Sequence, residues 1–283
     1  MTKLYIAGEE GFIGSHLQEY VRETTDWEIV SQDDSPDYVV HLAGHSQIDK
    51  SIVDSDLVLN DITTTIGLLD WAAEQKQLEA FLYFSSDEVF GPKEVISDFV
   101  PSDRYNPISP YAAGKAACES MCMAWRGTYG VPTMITHCQN LFGERQPANK
   151  FVPTIVRCAL NGEPVPIYVN LHEGKRDFLH VKDACSAIVT LLKGGLVGQK
   201  YNISDSVSYS LEYLVRLVSL ALDVKIKTVY RDAKDVRPGF FLEHGLDGRK
   251  LMQFGWERRP IVESVTETAR WMAQEENRHW LGL

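Results

Sequence analysis

No apolar run in this chain approaches the roughly 20 residues that a bilayer-spanning helix requires. Met1-Thr2-Lys3 leads into a short apolar stretch and then glycines, without the long apolar core and small-residue cleavage site of a secretory leader. A cytoplasmic protein with no membrane partner is the expectation. Cysteine is sparse: Cys118, Cys122, Cys138, Cys158 and Cys185 make an odd set of five with no Cys-x-x-Cys. Neither a disulfide framework nor a cysteine zinc site follows from that spacing. The eight histidines show no metal-ligand spacing either, so no metal is expected. Basic charge is also short. Against 39 acidic residues stand 28 lysines and arginines, a net charge of −11, whereas a duplex-binding face needs the opposite sign to displace counterions. Nucleic acid is therefore not an expected partner. Internal repeats, low-complexity tracts and long linkers are absent as well.

What remains is 283 residues of ordinary globular composition, enough for one large α/β domain with an appended lobe. Short β-branched or aromatic runs alternate with helical stretches, the pattern of βαβ units around a parallel sheet. The alternation predicts strands over Lys3–Ala7, Trp27–Val30, Tyr38–Leu42, Ala80–Ser85 and Thr133–Cys138. It predicts helices over Ile13–Glu23, Leu57–Glu74 and Tyr111–Tyr129. From Asn140 the texture changes to Pro- and Gly-punctuated segments around Phe151–Leu160, a polar loop at Asn170–Arg176, and amphipathic stretches at Leu211–Leu222 and Pro260–Gln274. The expected fold is a Rossmann-type, doubly wound parallel sheet with a smaller C-terminal α/β substrate lobe. Residues 1–141 with about 176–203 would form the first part, and about 142–175 with 204–283 the second. Between the first helix and Tyr38 only one short strand and a turn rich in Asp and Ser fit. A standard dinucleotide-binding half places another helix and strand there, so the sheet is expected to be shortened at that edge.

Three constellations carry chemistry. Gly8, Gly11 and Gly14 follow the first strand and open the first helix; glycines let the backbone approach a pyrophosphate, and the helix start favours its charge. About 20 residues on, Asp33 or Asp34 is a candidate for the adenine-ribose hydroxyls, which would favour NAD over NADP; a plain turn is the alternative reading of that stretch. Tyr111 and Lys115 lie four apart at a helix start, on one face. An ammonium beside the phenol is expected to lower its pKa toward the range where it takes a hydroxyl proton. Ser85-Ser86-Asp87-Glu88 falls where a parallel strand ends, the side on which α/β sheets bind ligands. Ser86 supplies a hydroxyl, and the adjacent carboxyls are expected to differ in pKa, one acting as acid and one as base. Lys175-Arg176 and Arg237 form basic neighbourhoods suited to a small anion. His41 and His45 flank a strand end beside the expected cofactor cleft.

Gly8-x-x-Gly11-x-x-Gly14, His41-Leu42-Ala43-Gly44, Ser85-Ser86-Asp87-Glu88-Val89-Phe90-Gly91 and Ser109-Pro110-Tyr111-x-x-x-Lys115 together resemble the extended short-chain dehydrogenase/reductase family. The Asp-Glu pair, Ala124-Trp125-Arg126-x-x-Tyr129-Gly130, Cys138-Gln139-Asn140 and Arg176-Asp177-Phe178 resemble its dTDP-glucose 4,6-dehydratases more closely, from Lys3 to about Trp271. The resemblance implies NAD held by Gly8, Gly11, Phe12, Ile13, Gly14, Asp33, Leu42, Ala43, Tyr111 and Lys115. It implies a nucleoside-diphosphate hexose whose diphosphate and nucleotide meet Asn140, Arg176 and Arg237. It further implies that Tyr111, aided by Lys115 and Ser86, takes the 4-hydroxyl proton, that Glu88 removes the C5 proton and that Asp87 protonates the departing 6-hydroxyl. A homodimer joined through the helices near Leu57–Glu74 and Gly114–Tyr129 is implied as well. The chain departs from the dehydratase pattern near residues 31–36, at Ser86 in place of threonine, and at Phe240 in place of histidine. An epimerase or decarboxylase of the same fold is the alternative activity, which the Asp-Glu pair disfavours. A catalytically silent nucleotide-sugar-binding protein is the alternative from another class, against which the intact Ser86, Asp87, Glu88, Tyr111 and Lys115 set stands.

Overall fold

The computed structural model describes residues 1–92, 98–169, 175–232 and 245–283. Its first half winds β1 (Lys3–Ala7), α1 (Phe12–Thr24), β2 (Glu28–Ile29), β3 (Tyr38–His41), α2 (Ile48–Val53), α3 (Asp56–Ala73), β4 (Ala80–Phe84), α4 (Pro110–Tyr129) and β5 (Thr133–Cys138). Every strand and long helix predicted in this half is found, most within a residue or two of the predicted ends. The shortest is β2, whose two residues Glu28–Ile29 lie within the predicted Trp27–Val30. The second half adds β6 (Asn140–Phe142), α5 (Phe151–Asn161), β7 (Val165–Val169), β8 (Lys175–His180), α6 (Val181–Gly194) and β9 (Lys200–Ile203). It closes with β10 (Ser208–Ser210), α7 (Leu211–Leu222), β11 (Thr228–Asp232), α8 (Arg249–Met252) and α9 (Ile261–Ala273).

The main sheet is parallel throughout, in the order β2-β1-β3-β4-β5-β9. Its central strands are buried on both faces, so β4 reads Ala-Phe-Leu-Tyr-Phe with every residue inside, as helices on both sides demand. On one face Leu17 and Val21 of α1 and Ala184 and Ile188 of α6 cover Leu4, Leu82 and Phe84. On the other, Leu69 of α3 and Cys118 and Cys122 of α4 cover Val39, Phe81 and Tyr83. The edge beyond β1 carries only β2, followed by a 3-10 turn at Gln32–Asp34 that leads directly to β3. The sheet is thus doubly wound and short at the predicted edge.

A second core gathers Val152, Ile155 and Val156 of α5, Leu214 and Val218 of α7, and Val265 and Ala269 of α9. It sits with a three-stranded sheet ordered β10-β8-β6 and a two-stranded pair of β11 with β7. The chain then returns to the first core, where Leu251 and Trp256 pack. All five cysteines are buried thiols. Among the described residues, no helix is long and apolar enough to cross a membrane.

Candidate active site

The site is assembled from loops at the C-terminal ends of β1, β3, β4 and β5. After β1 the chain turns through Gly8, whose φ is +94° and where a Cβ would stand 2.7 Å from the Ala43 nitrogen. A side chain at Gly14 would overlap the Gly8 carbonyl oxygen. Only glycine therefore lets this loop lie between the loop after β3 and the start of α1. The first turn of α1 has no acidic residue and no side-chain cap, so its N–H groups and dipole are open to an anion.

After β4 the chain stays extended through Ser86, which caps a 3-10 turn over Asp87–Phe90. The Ser86 hydroxyl accepts the Glu88 N–H at 3.3 Å and donates to Asp87 Oδ1 at 3.1 Å. Val89 and Phe90 anchor the turn in a small core with Phe99 and Leu246, the two phenylalanine rings stacked at 4.8 Å. Asp87 and Glu88 are consequently held inside the protein, both buried. Ser109 caps α4 by accepting the Ala112 N–H at 3.1 Å, and Pro110 occupies its first turn. Both features fix a helix start, which places Tyr111 and Lys115 on the inward face of its first turns, buried.

These elements enclose a cavity of about 390 Å³. Its wall includes Gly8, Gly11, Phe12, Ile13, Gly14 and Leu42 at one end, and Ser86, Asp87, Glu88, Tyr111 and Lys115 in the middle. Asn140, Lys150, Phe151 and Phe178 close the other end. Ala43 abuts Gly8 behind this wall. Asp33 lies in the exposed turn after β2 and Arg176 is buried on β8; neither belongs to the wall. Arg237 lies outside the described residues. His45 reaches the wall. His41 instead packs beneath it against Phe81 and Tyr83, with Nε2 2.9 Å from Thr65 Oγ1. Burial, then the Lys115 charge, pull its pKa down to about 3, so it is neutral.

The electrostatics of Tyr111 differ from the expectation drawn from spacing. Burial raises the phenol above its ordinary range, the Ser86 hydrogen bond opposes that, and the charges of Asp87, Glu88 and Asp61 raise it further. The Lys115 ammonium is 5.8 Å from the centre of the Tyr111 ring and 5.7 Å from that of Tyr83. It is itself lowered by burial, with Asp61 the principal charge restoring it. Sharing a helix face brought the two side chains together, but desolvation is the largest influence on the phenol.

Several residues of the site escaped the sequence reading. Lys150 donates to the Ser46 carbonyl at 3.1 Å, bridging the second core to the loop after β3. Glu119, one turn beyond Lys115, is fully buried and accepts from Ser85 Oγ at 2.5 Å and from the Tyr105 hydroxyl. Burial works against its charge, but His137 and the hydrogen bonds from His137, Ser85 and Tyr105 hold its carboxyl below the usual range. The Lys115-to-Glu119 spacing was a readable signal for that inward face; Lys150 had none. Gln139 lines the cavity with both ends of its amide buried and unpartnered among the described residues, as are Gln146 Oε1 and His45 Nε2. Each such group costs about 1–3 kcal/mol unless something bonds it.

The family model for NAD dependent epimerases and dehydratases matches residues 21–204, well over half the chain. The chain belongs to that family. This epimerase/dehydratase chain is 33% identical over 275 residues to dTDP-glucose 4,6-dehydratase of Escherichia coli, covering 87% of this chain and 75% of that one. It is 34% identical over 259 residues to dTDP-glucose 4,6-dehydratase of Haemophilus influenzae, covering 83% and 76%. The dTDP-glucose 4,6-dehydratase DesIV of Streptomyces venezuelae, solved with NAD bound, superimposes with a TM-score of 0.83 at 26% identity, over 99% of this chain and 98% of that one. A UDP-N-acetylglucosamine 4-epimerase of Methanobrevibacter ruminantium shares the fold with a TM-score of 0.84 at 24% identity, over 96% and 98%. Dehydratases and epimerases thus share this architecture, and the side chains in the cavity have to separate them. The residues present fit NAD: the glycine cradle, the open helix start, and Gln139, Gln146 and His45 with their unpartnered polar atoms all belong to one cavity.

Proposed function

We propose that this family member is a nucleotide-sugar 4,6-dehydratase, converting a nucleoside-diphosphate hexose into its 4-keto-6-deoxy form and water with a tightly held NAD. The observation that supports it is the burial of Asp87 and Glu88 in the same cavity wall as Ser86, Tyr111 and Lys115. Epimerisation at C4 has no need of such a pair, whereas elimination needs a base at C5 and an acid at the leaving oxygen. NAD, when bound, supplies the hydride acceptor at C4 and gives the same hydride back at C6.

The chain's own groups divide the remaining work. Tyr111 takes the proton of the 4-hydroxyl, with the Ser86 hydroxyl bonded to the phenol and the Lys115 charge nearby as counterweights to burial. A 4-keto group acidifies C5, and Glu88 removes that proton. Asp87 delivers a proton to the 6-hydroxyl as it leaves. Residues 1–141 with about 176–203 would carry the cofactor, and about 142–175 with 204–283 the nucleotide. Asn140 and Lys150, both in the cavity wall, would take the diphosphate, a lysine being a natural partner for phosphate charge. Arg176 and Arg237 complete the proposed nucleotide contacts. The proposal includes a homodimer through α3 and α4, where Leu59, Met123 and Tyr129 expose apolar surface.

The test is to incubate the purified protein with NAD and, separately, dTDP-, UDP-, CDP- and GDP-hexoses, and to weigh the products by mass spectrometry. A product lighter by one water is expected. An isomer of unchanged mass would replace this reading with an epimerase.

A further inference from the structure

His45 and Asp61 take no part in the chemistry above, yet they are joined at the cavity wall. Asp61, on α3, accepts the His45 backbone N–H at 3.1 Å through Oδ1, and its Oδ2 lies 2.9 Å from His45 Nδ1. Nδ1 is the donor in this bond to the carboxylate, and an uncharged imidazole in that tautomer presents Nε2 as an acceptor. That Nε2 is sealed from solvent, has no partner among the described residues, and belongs to a ring that lines the cavity. The ring stands edge-on to Tyr111, centroids 5.5 Å apart at 80°. Gly44 makes the arrangement possible. With φ at +146°, it leaves no Cβ where one would lie 3.1 Å from Asp61 Oδ2 and 3.2 Å from Lys115 Nζ. Asp61 therefore stands between the imidazole and the catalytic lysine, and its charge supports the ammonium of the second while orienting the first.

We propose that Asp61 and His45 form a hydroxyl-binding dyad in which Nε2 accepts a hydrogen bond from a ligand O–H beside Tyr111. Asp61 is the positioning residue that fixes the tautomer. A bare acceptor repels phosphate oxygens and selects an O–H donor. In this cavity the hydroxyl belongs either to a ribose of NAD or to the hexose. The first source rests on family membership alone, the second on the dehydratase reading as well.

The experiment compares wild type with His45→Leu, His45→Gln and Asp61→Asn, measuring by titration the Kd for NAD and, on the NAD-loaded protein, the Kd for dTDP-glucose. Leucine is expected to weaken one of the two ligands about tenfold, the worth of a buried hydrogen bond left unmade. Glutamine, which offers an acceptor oxygen, is expected to recover most of that loss. Asparagine at position 61 can serve either tautomer and is expected to weaken the same ligand severalfold. A change in NAD affinity assigns the ribose; a change confined to dTDP-glucose assigns the hexose. Glutamine and asparagine variants keep the test open should leucine fail to fold. Unchanged affinity for both ligands overturns the dyad, as does a glutamine variant no better than leucine, which would make the ring a packing group. A wild type that binds both ligands but releases no water would sink the dehydratase reading while these affinities still decide the dyad.

Discussion

The middle of the cavity and the β2 edge of the sheet are built to different standards. In the middle, Ser85 and Ser86 are tied to Glu119 and to the turn over Asp87–Phe90, and Asp87, Glu88, Tyr111 and Lys115 are buried. Glu119 in turn holds His137 at 3.2 Å, and His137 holds Asn202 at 2.9 Å, so the end of β4 is braced through β5 to β9. At the edge, β2 pairs over two residues and hands on to an exposed turn. That turn uses one of its two candidate carboxylates on itself: Asp34 Oδ2 accepts from Ser31 N at 3.0 Å and from Ser31 Oγ at 2.6 Å. That leaves Asp33 as the candidate for the proposed ribose contact. The difference teaches that the fold can go without a helix and a strand at its β2 edge and still keep every group that the proposed reaction requires.

The comparison breaks most readily at Tyr111. Replacing it with phenylalanine keeps the ring against His45 and removes only the hydroxyl, so kcat is expected to fall about a thousandfold, within the usual range for a positioned acid-base group. A variant within tenfold of wild type would show that the middle is not the seat of proton transfer. Next in size is Glu88→Gln, expected to slow water loss at least a hundredfold, again a general-base effect. C4 oxidation should survive, so the absorbance of reduced cofactor would build up after mixing with substrate. Normal dehydration by this variant would remove Glu88 as the C5 base.

A smaller effect tests how far the bracing of the middle reaches. Asp177 on β8 accepts from Ser208 at 2.5 Å, Ser204 at 3.2 Å and the Leu246 N–H at 2.9 Å. Burial still lifts its pKa from 3.8 to about 6, against those hydrogen bonds and with a contribution from the Asp87 charge. A carboxyl raised in the folded state favours folding most below its unfolded pKa, and that contribution is lost as pH rises through the folded value. The stability of wild type relative to Asp177→Asn, from urea unfolding, should therefore decline between about pH 4 and pH 6 and level off above. A flat difference across that window would mean that Asp177 titrates alike in the folded and unfolded chain.

The sequence showed most where periodicity and caps act locally. The strands from β1 to β5, the helix started by Ser109 and Pro110, and the place of an Asp-Glu pair at a strand end all follow from patterns a few residues long. It showed least where partners are distant. β9 completes the main sheet by pairing with β5 across more than sixty residues, from Lys200 opposite Ile135 to Ile203 opposite Cys138, and no local pattern announces that. Lys150 reached the cavity from a stretch read only as irregular. The Tyr111 pKa went the other way from its expected shift because spacing reports which side chains are neighbours, not how much water they lose. Asp61 is the sharpest case: an acidic residue in an ordinary helix pattern, it gains a role only through a loop sixteen residues earlier.

The smallest expected effect belongs to the edge itself. Asp33 is exposed and outside the cavity wall, so any bond it makes to a ribose hydroxyl competes with water. Such an exchange contributes little, and Asp33→Ala is expected to raise the Kd for NAD by less than about threefold. The same carboxylate would repel a 2′-phosphate, so the alanine variant should improve NADP binding by a comparable factor and narrow the preference for NAD. Titrations with both cofactors at low and high salt separate the terms, because the repulsion is screened and the hydrogen bond is not. A loss of NAD affinity beyond tenfold would contradict the contrast between the two regions. It would mean that the shortened edge closes over bound cofactor and becomes as firmly built as the wall around Tyr111.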